Sequence, residues 1–141
     1  MLDINTGSLK IGENIEFGPR NSFDEIKIHK VGELQEIKGT NGSEYQSIHF
    51  KNVLVNGNYY IFRLRFGHNQ LSQLEIFIGP SPFEFKKGWD DWSYQEELFH
   101  LELCKEWLKK QVGETREFDW GYIWCGYDSL GGYSSIKIRY I

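Results

Sequence analysis

Between two stretches of strand-like sequence, one segment of this chain is punctuated as a single long helix, and that order constrains the fold most. Ser93 stands where an N-cap is needed, and Glu96 three residues later completes a capping box. Glu96 and Glu97 fall in the first turn and Lys109 and Lys110 in the last, each matched to the helix dipole. Gly113 is placed to close the C-terminus. About 19 residues at 1.5 Å each make roughly 28 Å of helix, enough to cross a small sheet.

The flanking blocks read as antiparallel strands. Tyr45 to Val55 is rich in aromatic and β-branched residues and stops at Asn56-Gly57, a strong hairpin signal. From Asn58 to Phe66 the residues Tyr60, Phe62, Leu64 and Phe66 share one face, with Arg63 and Arg65 on the other. Gly67 to Gln70 makes the next turn, and Leu74, Ile76 and Ile78 then alternate until Gly79-Pro80. After the helix, Glu117 to Tyr127 and Tyr133 to Ile141 bracket a glycine-containing turn. The expected architecture is α+β: an antiparallel β-meander, one long helix packed across the sheet, and a C-terminal β-hairpin. Residues 1–44 carry weaker signals. Ser8 to Gly12 reads as a short strand, and Ser22 to His29 as either a helical turn or a strand.

At 141 residues the chain fits one domain, residues 1–141, with room for a core. Aromatic residues make up 16% and alanine is absent, so rings must fill much of that core. Met1 to Gly7 lacks a basic run followed by an apolar one, so no signal peptide is expected. No apolar stretch is long enough to span a bilayer, and a cytoplasmic location with no membrane contact is the expectation. Cys104 and Cys125 read as two reduced small hydrophobes. The histidines, His29, His49, His68 and His100, stand singly, and neither a metal nor a cofactor is expected.

The formal charge of −4 is placed unevenly, because Glu84 to Asp119 alone holds ten acids against six bases. From Gly88 to Leu103 there is no Lys or Arg. Such a surface disfavours nucleic acid and attracts a basic protein. The helix also has two apolar stripes. Tyr94, Leu98, Leu101, Cys104, Leu108 and Val112 form the expected core face, while Phe99, Leu103 and Trp107 lie nearly opposite. The ordinary reading of the second stripe is cover by the Pro80–Trp92 connection or by the N-terminal region. The sharper reading is a partner-binding ridge beside the acids.

No stretch spells a catalytic set. Asp90 and Asp91 are adjacent and read as solvated acids ahead of a helix; His100 one turn after Glu96 and Glu97 reads as an exposed helix face. A sheet displaying aromatics could instead stack nucleic-acid bases, with Tyr45, Tyr59, Phe77, Trp120, Tyr122, Trp124, Tyr127 and Tyr133 as candidates. Arg63, Arg65, Lys137 and Arg139 would share a basic sheet face, although the chain lacks the overall excess of Lys and Arg that phosphate binders show. An enzyme of another type stays open.

Trp89-Asp-Asp-Trp-Ser-Tyr-Gln-Glu-Glu-Leu98, Trp107-Leu108 before Gly113, Trp120-Gly-Tyr-Ile123, Tyr127-Asp128 and Gly132 to Tyr140 together form a pattern. It resembles a group of small bacterial cytoplasmic proteins, some with the look of immunity proteins that neutralise toxins of contact-dependent or polymorphic toxin systems. The likeness covers residues 88–141 and extends to the meander at 45–79. Where that group carries a basic residue after Tyr-Asp, this chain has Ser129-Leu130. The resemblance implies a non-enzymatic protein that binds a cognate toxin, such as a basic nuclease domain. The partner-binding residues expected on this reading are Trp89, Asp90, Asp91, Trp92, Glu96, Phe99, Glu102 and Trp107, with acids steering and aromatics anchoring.

Overall fold

A computed structural model describes residues 1–39, 44–84 and 93–141. Its elements run in the order β1 (Leu9–Lys10), β2 (Glu16–Phe17), α1 (Phe23–Lys27), β3 (Leu34–Lys38), β4 (Tyr45–Val55), β5 (Asn58–Gly67), β6 (Gln70–Gly79), α2 (Tyr94–Val112), β7 (Glu117–Phe118), β8 (Gly121–Asp128) and β9 (Tyr133–Tyr140). Strands β3 to β9 form one antiparallel sheet in the order β3-β4-β5-β6-β9-β8-β7, while β1 and β2 pair separately. The chain leaves the meander at β6, crosses through α2, and returns so that β9 lies beside β6. This is the α+β arrangement expected from the sequence.

Local chemistry accounts for most boundaries. Asn56 and Gly57 both take positive φ, 49° and 85°, as a two-residue hairpin turn requires. His68 and Asn69 do the same at 50° and 60°, and the Asn69 side chain accepts a hydrogen bond from the Phe23 amide. The Ser93 hydroxyl accepts from the Glu96 amide, and the Gly113 amide donates to the Lys109 carbonyl at the other end of α2. Ser22 caps α1 in the same way, so within the segment from Ser22 to His29 the chain forms a short helix, Phe23–Lys27.

Two details depart from the expected strands. The segment from Glu117 to Tyr127 is not one strand: the chain turns at Asp119-Trp120, so that Glu117 pairs with Tyr122 and Phe118 with Gly121. Gly121 sits at φ 156° with its Cα against the Arg139 carbonyl, where a Cβ has no room. In β4 the register shifts between Phe50 and Val53. The shifted Asn52 takes φ 54° and is buried. Its amide donates to Glu33 at 2.7 Å and to the Phe83 carbonyl at 3.0 Å, and accepts from the Phe83 amide at 2.8 Å. One side chain thereby fixes the connection after β6.

The core lies on one face of the sheet, under α1, α2 and the N-terminal strands. Aromatic rings dominate it. Phe17 stacks on Phe50 at 5.5 Å and meets the edge of Phe62 at 5.7 Å; Tyr60 stacks on Phe62 at 5.4 Å. Leu64, Phe66, Leu74, Ile76, Ile136 and Ile138 fill the same side. The Tyr140 hydroxyl, buried, donates to the Gly7 carbonyl at 2.7 Å and ties the N-terminal segment to the last strand. Among the described residues no helix is long and apolar enough to cross a membrane.

Candidate functional site

The site expected from the sequence centres on α2, and the structure divides the helix in two. In the C-terminal half Cys104, Trp107, Leu108 and Val112 are buried. In the N-terminal half Tyr94 is 50% exposed, Leu98 39% and Phe99 53%. The buried direction is turned by roughly 50° from the expected core stripe, at 100° per residue. That turn brings Trp107 inward and leaves Tyr94 and Leu98 at the margin.

The stripe of Phe99, Leu103 and Trp107 is therefore not one ridge. Trp107 is only 8% exposed and belongs to the core cluster, and Leu103 packs half-buried against it. The N-terminal segment lies along this half of the helix, where the Leu2 amide donates to the Gln111 side chain at 3.0 Å. Trp107 and Tyr60 belong to the same buried cluster. As a partner-binding anchor Trp107 is thus corrected: it is a core residue, because the N-terminal segment lies alongside this half of the helix on the same face of the sheet. Phe99, one helical stretch earlier, has left that cover.

Glu96, Glu102 and Glu106 are exposed around Phe99, and Glu102 meets Lys105 at 3.8 Å on the open surface. Glu97 does something different. Its carboxylate accepts from the Ser134 amide, and its carbonyl accepts from the Ser134 hydroxyl, both at 2.8 Å. These bonds clamp the exposed half of the helix to β9. His100 sits 3.5 Å from Glu97, with its ring 5.6 Å from Phe83 and 6.4 Å from Phe99. His100 is accordingly half-buried between rings and joined to a structural carboxylate, not part of an open helix face. Tyr94 meets Tyr127 of β8 edge-on at 5.4 Å, and beyond Tyr127 the β8–β9 turn presents Leu130, 96% exposed. Trp89, Asp90, Asp91 and Trp92 lie outside the described residues.

The face of the sheet away from α2 carries the other candidates. Cross-strand register aligns Glu36, His49, Arg63, Glu75, Lys137 and Trp124 in one row. The next row runs Lys38, Ser47, Arg65, Gln73, Arg139 and Tyr122. Arg63, Arg65, Lys137 and Arg139 do share a face, as expected. Of the aromatic candidates, Tyr45, Tyr59, Phe77, Tyr122, Trp124 and Tyr133 lie on this side by register and alternation. Phe77 is buried beneath the Arg63 guanidinium, 4.9 Å from its ring centre. Trp120 is instead pinned to the N-terminal segment by a 2.9 Å bond to the Ile4 carbonyl, stacked on Phe118. Tyr127 faces the helix.

Several charges of the first row neutralise one another. Lys51 meets Glu36 at 2.7 Å, Arg63 meets Glu75 at 3.7 Å and Lys137 meets Glu75 at 4.0 Å. Burial, and then the Arg63 charge, hold His49 below its ordinary value of 6.5, outweighing the Glu36 carboxylate at 3.9 Å; Lys38 and Lys51 add to the lowering. A lowered histidine pKa favours the neutral ring in the folded state. Its contribution to stability is full above pH 6.5 and is lost as pH falls from there through the folded pKa. Urea midpoints at about pH 7.5 and 5.5, above the carboxylate range, should therefore differ, and His49→Gln should shrink the difference. An unchanged difference in the variant contradicts this assignment.

The thiols are quiet. Both cysteines are free, and burial pushes Cys104 up to about 12 and raises Cys125 as well. Among the described residues no three His, Cys, Asp or Glu side chains are grouped to hold a metal.

The fold and its two surfaces define an α+β protein with one helix-covered and one open sheet face. The chain matches no protein-family model, no curated protein and no solved structure.

Proposed function

We propose that this chain is a non-enzymatic binding protein that captures a basic partner protein through the exposed half of α2. The observation that carries this reading is the set of exposed apolar side chains, Tyr94, Leu98 and Phe99, interleaved with Glu96, Glu102 and Glu106. Apolar anchors among charges of one sign are what a protein partner of opposite sign recognises. The half is also held rigid, by the Ser93 cap and the Glu97–Ser134 bonds, so little ordering cost attaches to binding.

In the form implied by the resemblance, the protein acts in the cytoplasm as an immunity protein, and the partner is a cognate toxin domain such as a basic nuclease. The acids raise the association rate and the rings hold the complex. On this reading a large secreted protein with a toxin-like C-terminal domain is encoded next to this chain's gene, and that domain is the partner to test. Cells expressing that domain should survive when the wild-type chain is co-expressed. Purified Glu102→Lys should associate more slowly and with a shallower salt dependence than wild type. Absence of protection by the wild-type chain contradicts the immunity reading, and an unchanged association rate contradicts the site.

A further inference from the structure

The helix acids dominate the net charge, yet the open face of the sheet is locally basic. By register it presents Lys38, Lys51, Arg63, Arg65, Lys137 and Arg139 against Glu36, Glu75 and Glu117. The ion pairs described above occupy Glu36 and Glu75 with Lys51, Arg63 and Lys137. Lys38, Arg65 and Arg139 form no ion pair with a described residue. These three unneutralised cations stand in a single cross-strand row.

The same row lines a cavity of about 420 Å³. Its described lining has those three cations, the polar side chains of Ser47, Ser72 and Gln73, and no carboxylate. Tyr45 borders it with a ring that is 69% exposed. At about 4.8 Å per strand, Lys38 and Arg139 stand roughly 10 Å to either side of Arg65. Long side chains can converge over that distance on two or more phosphates. The acids of α2 lie beyond the sheet and a helix about 10 Å thick, more than the ~8 Å over which salt screens charge. Net charge therefore does not decide what this face binds.

We infer that this row is a second binding site, for a phosphate-bearing nucleotide ligand. Arg65 and Arg139 grip phosphate oxygens through their planar guanidinium forks, Lys38 neutralises a further phosphate, and Tyr45 offers its ring to a base. Free nucleoside triphosphate and single-stranded nucleic acid share this chemistry. The cavity volume suits one nucleotide unit, and the row of cations suits a strand laid across the sheet.

The test is fluorescence anisotropy of the full chain with a labelled twelve-residue oligothymidylate and, separately, with labelled ATP. For three phosphate contacts, oligonucleotide affinity should fall about twentyfold between 50 and 200 mM salt. Arg65→Gln with Arg139→Gln leaves one contact, and the fall should shrink to about threefold, with affinity at low salt at least about tenfold weaker. Tyr45→Ala should weaken binding about tenfold. Lys10→Gln, which removes an exposed cation of β1, should leave it unchanged. Binding of the oligonucleotide alone assigns a single strand, and binding of ATP alone assigns a free nucleotide. Lack of binding to either probe overturns the site, as does equal competition by polyglutamate. If the double variant fails to fold, as its urea midpoint would show, Lys38→Gln and Arg139→Gln singly must each flatten the salt dependence. An unaltered slope in both overturns the assignment. Both probes can fail without touching the helix-face reading, because the two sites lie on opposite sides of the sheet.

Discussion

Trp107→Ala should destabilise the protein by about 4 kcal/mol, and Phe99→Ala by about 0.5 kcal/mol or less. Both residues come from the same sequence stripe, so the contrast measures how α2 is rotated. Trp107 is buried among core residues. Removing it opens a cavity that the sheet and the N-terminal segment cannot close. Phe99 is 53% exposed, with its ring 6.4 Å from that of His100. Urea unfolding of the two variants gives both numbers. Equal losses would mean that the helix buries both residues alike, and the exposed patch would not exist.

Phe62→Ala should cost about 4 kcal/mol, a large part of the 5–15 kcal/mol total of an ordinary domain. Phe62 is fully buried in the interior strand β5, opposite Phe50 on one side and Ile76 on the other. Its ring touches both Phe17 and Tyr60. Its removal therefore loses transfer energy, leaves a void, and breaks two aromatic contacts of about 0.5–1.5 kcal/mol each, only part of which adds to the first two terms. Because the chain has no alanine and fills its core with rings, few small side chains can shift into the gap. Calorimetric or urea unfolding should show the variant near the edge of stability. A loss below about 1 kcal/mol would contradict the packing described.

These two residues also show what was legible in the sequence. Phe62 could be placed in the core because strict alternation allows one buried face, and the Asn56-Gly57 turn sets the register. The ends of α2 were legible for a similar reason: caps are local chemistry, and Ser93 and Gly113 stand where they were expected. Trp107 was not, because a period of 3.6 residues displays two stripes without saying which neighbour each one meets. That neighbour, the segment around Leu2, bonds Gln111, 109 positions away and one helical turn beyond Trp107. Strand β3 was missed because Leu-Gln-Glu-Ile-Lys lies at the sheet edge, exposed or half-exposed throughout, and shows no alternation. Arg65 and Arg139 could be named as one face from their strands, whereas Lys38 joins them only through the register of that edge strand. The shift at Asn52 has no sequence signal beyond an asparagine able to adopt positive φ.

The exposed acids followed from composition, but the rotation of the helix decides which rings stand among them. Phe99, Leu98 and Tyr94 do, and Trp107 does not. The proposed docking face is thus narrower than the sequence implied and lies nearer the start of the helix.

Equilibrium binding of the proposed partner, the purified toxin-like domain, to wild type and to Phe99→Ala tests that face most directly. The expected result is about thirtyfold weaker binding by the variant, with its urea midpoint nearly unchanged. Equal affinity for the two chains would contradict it.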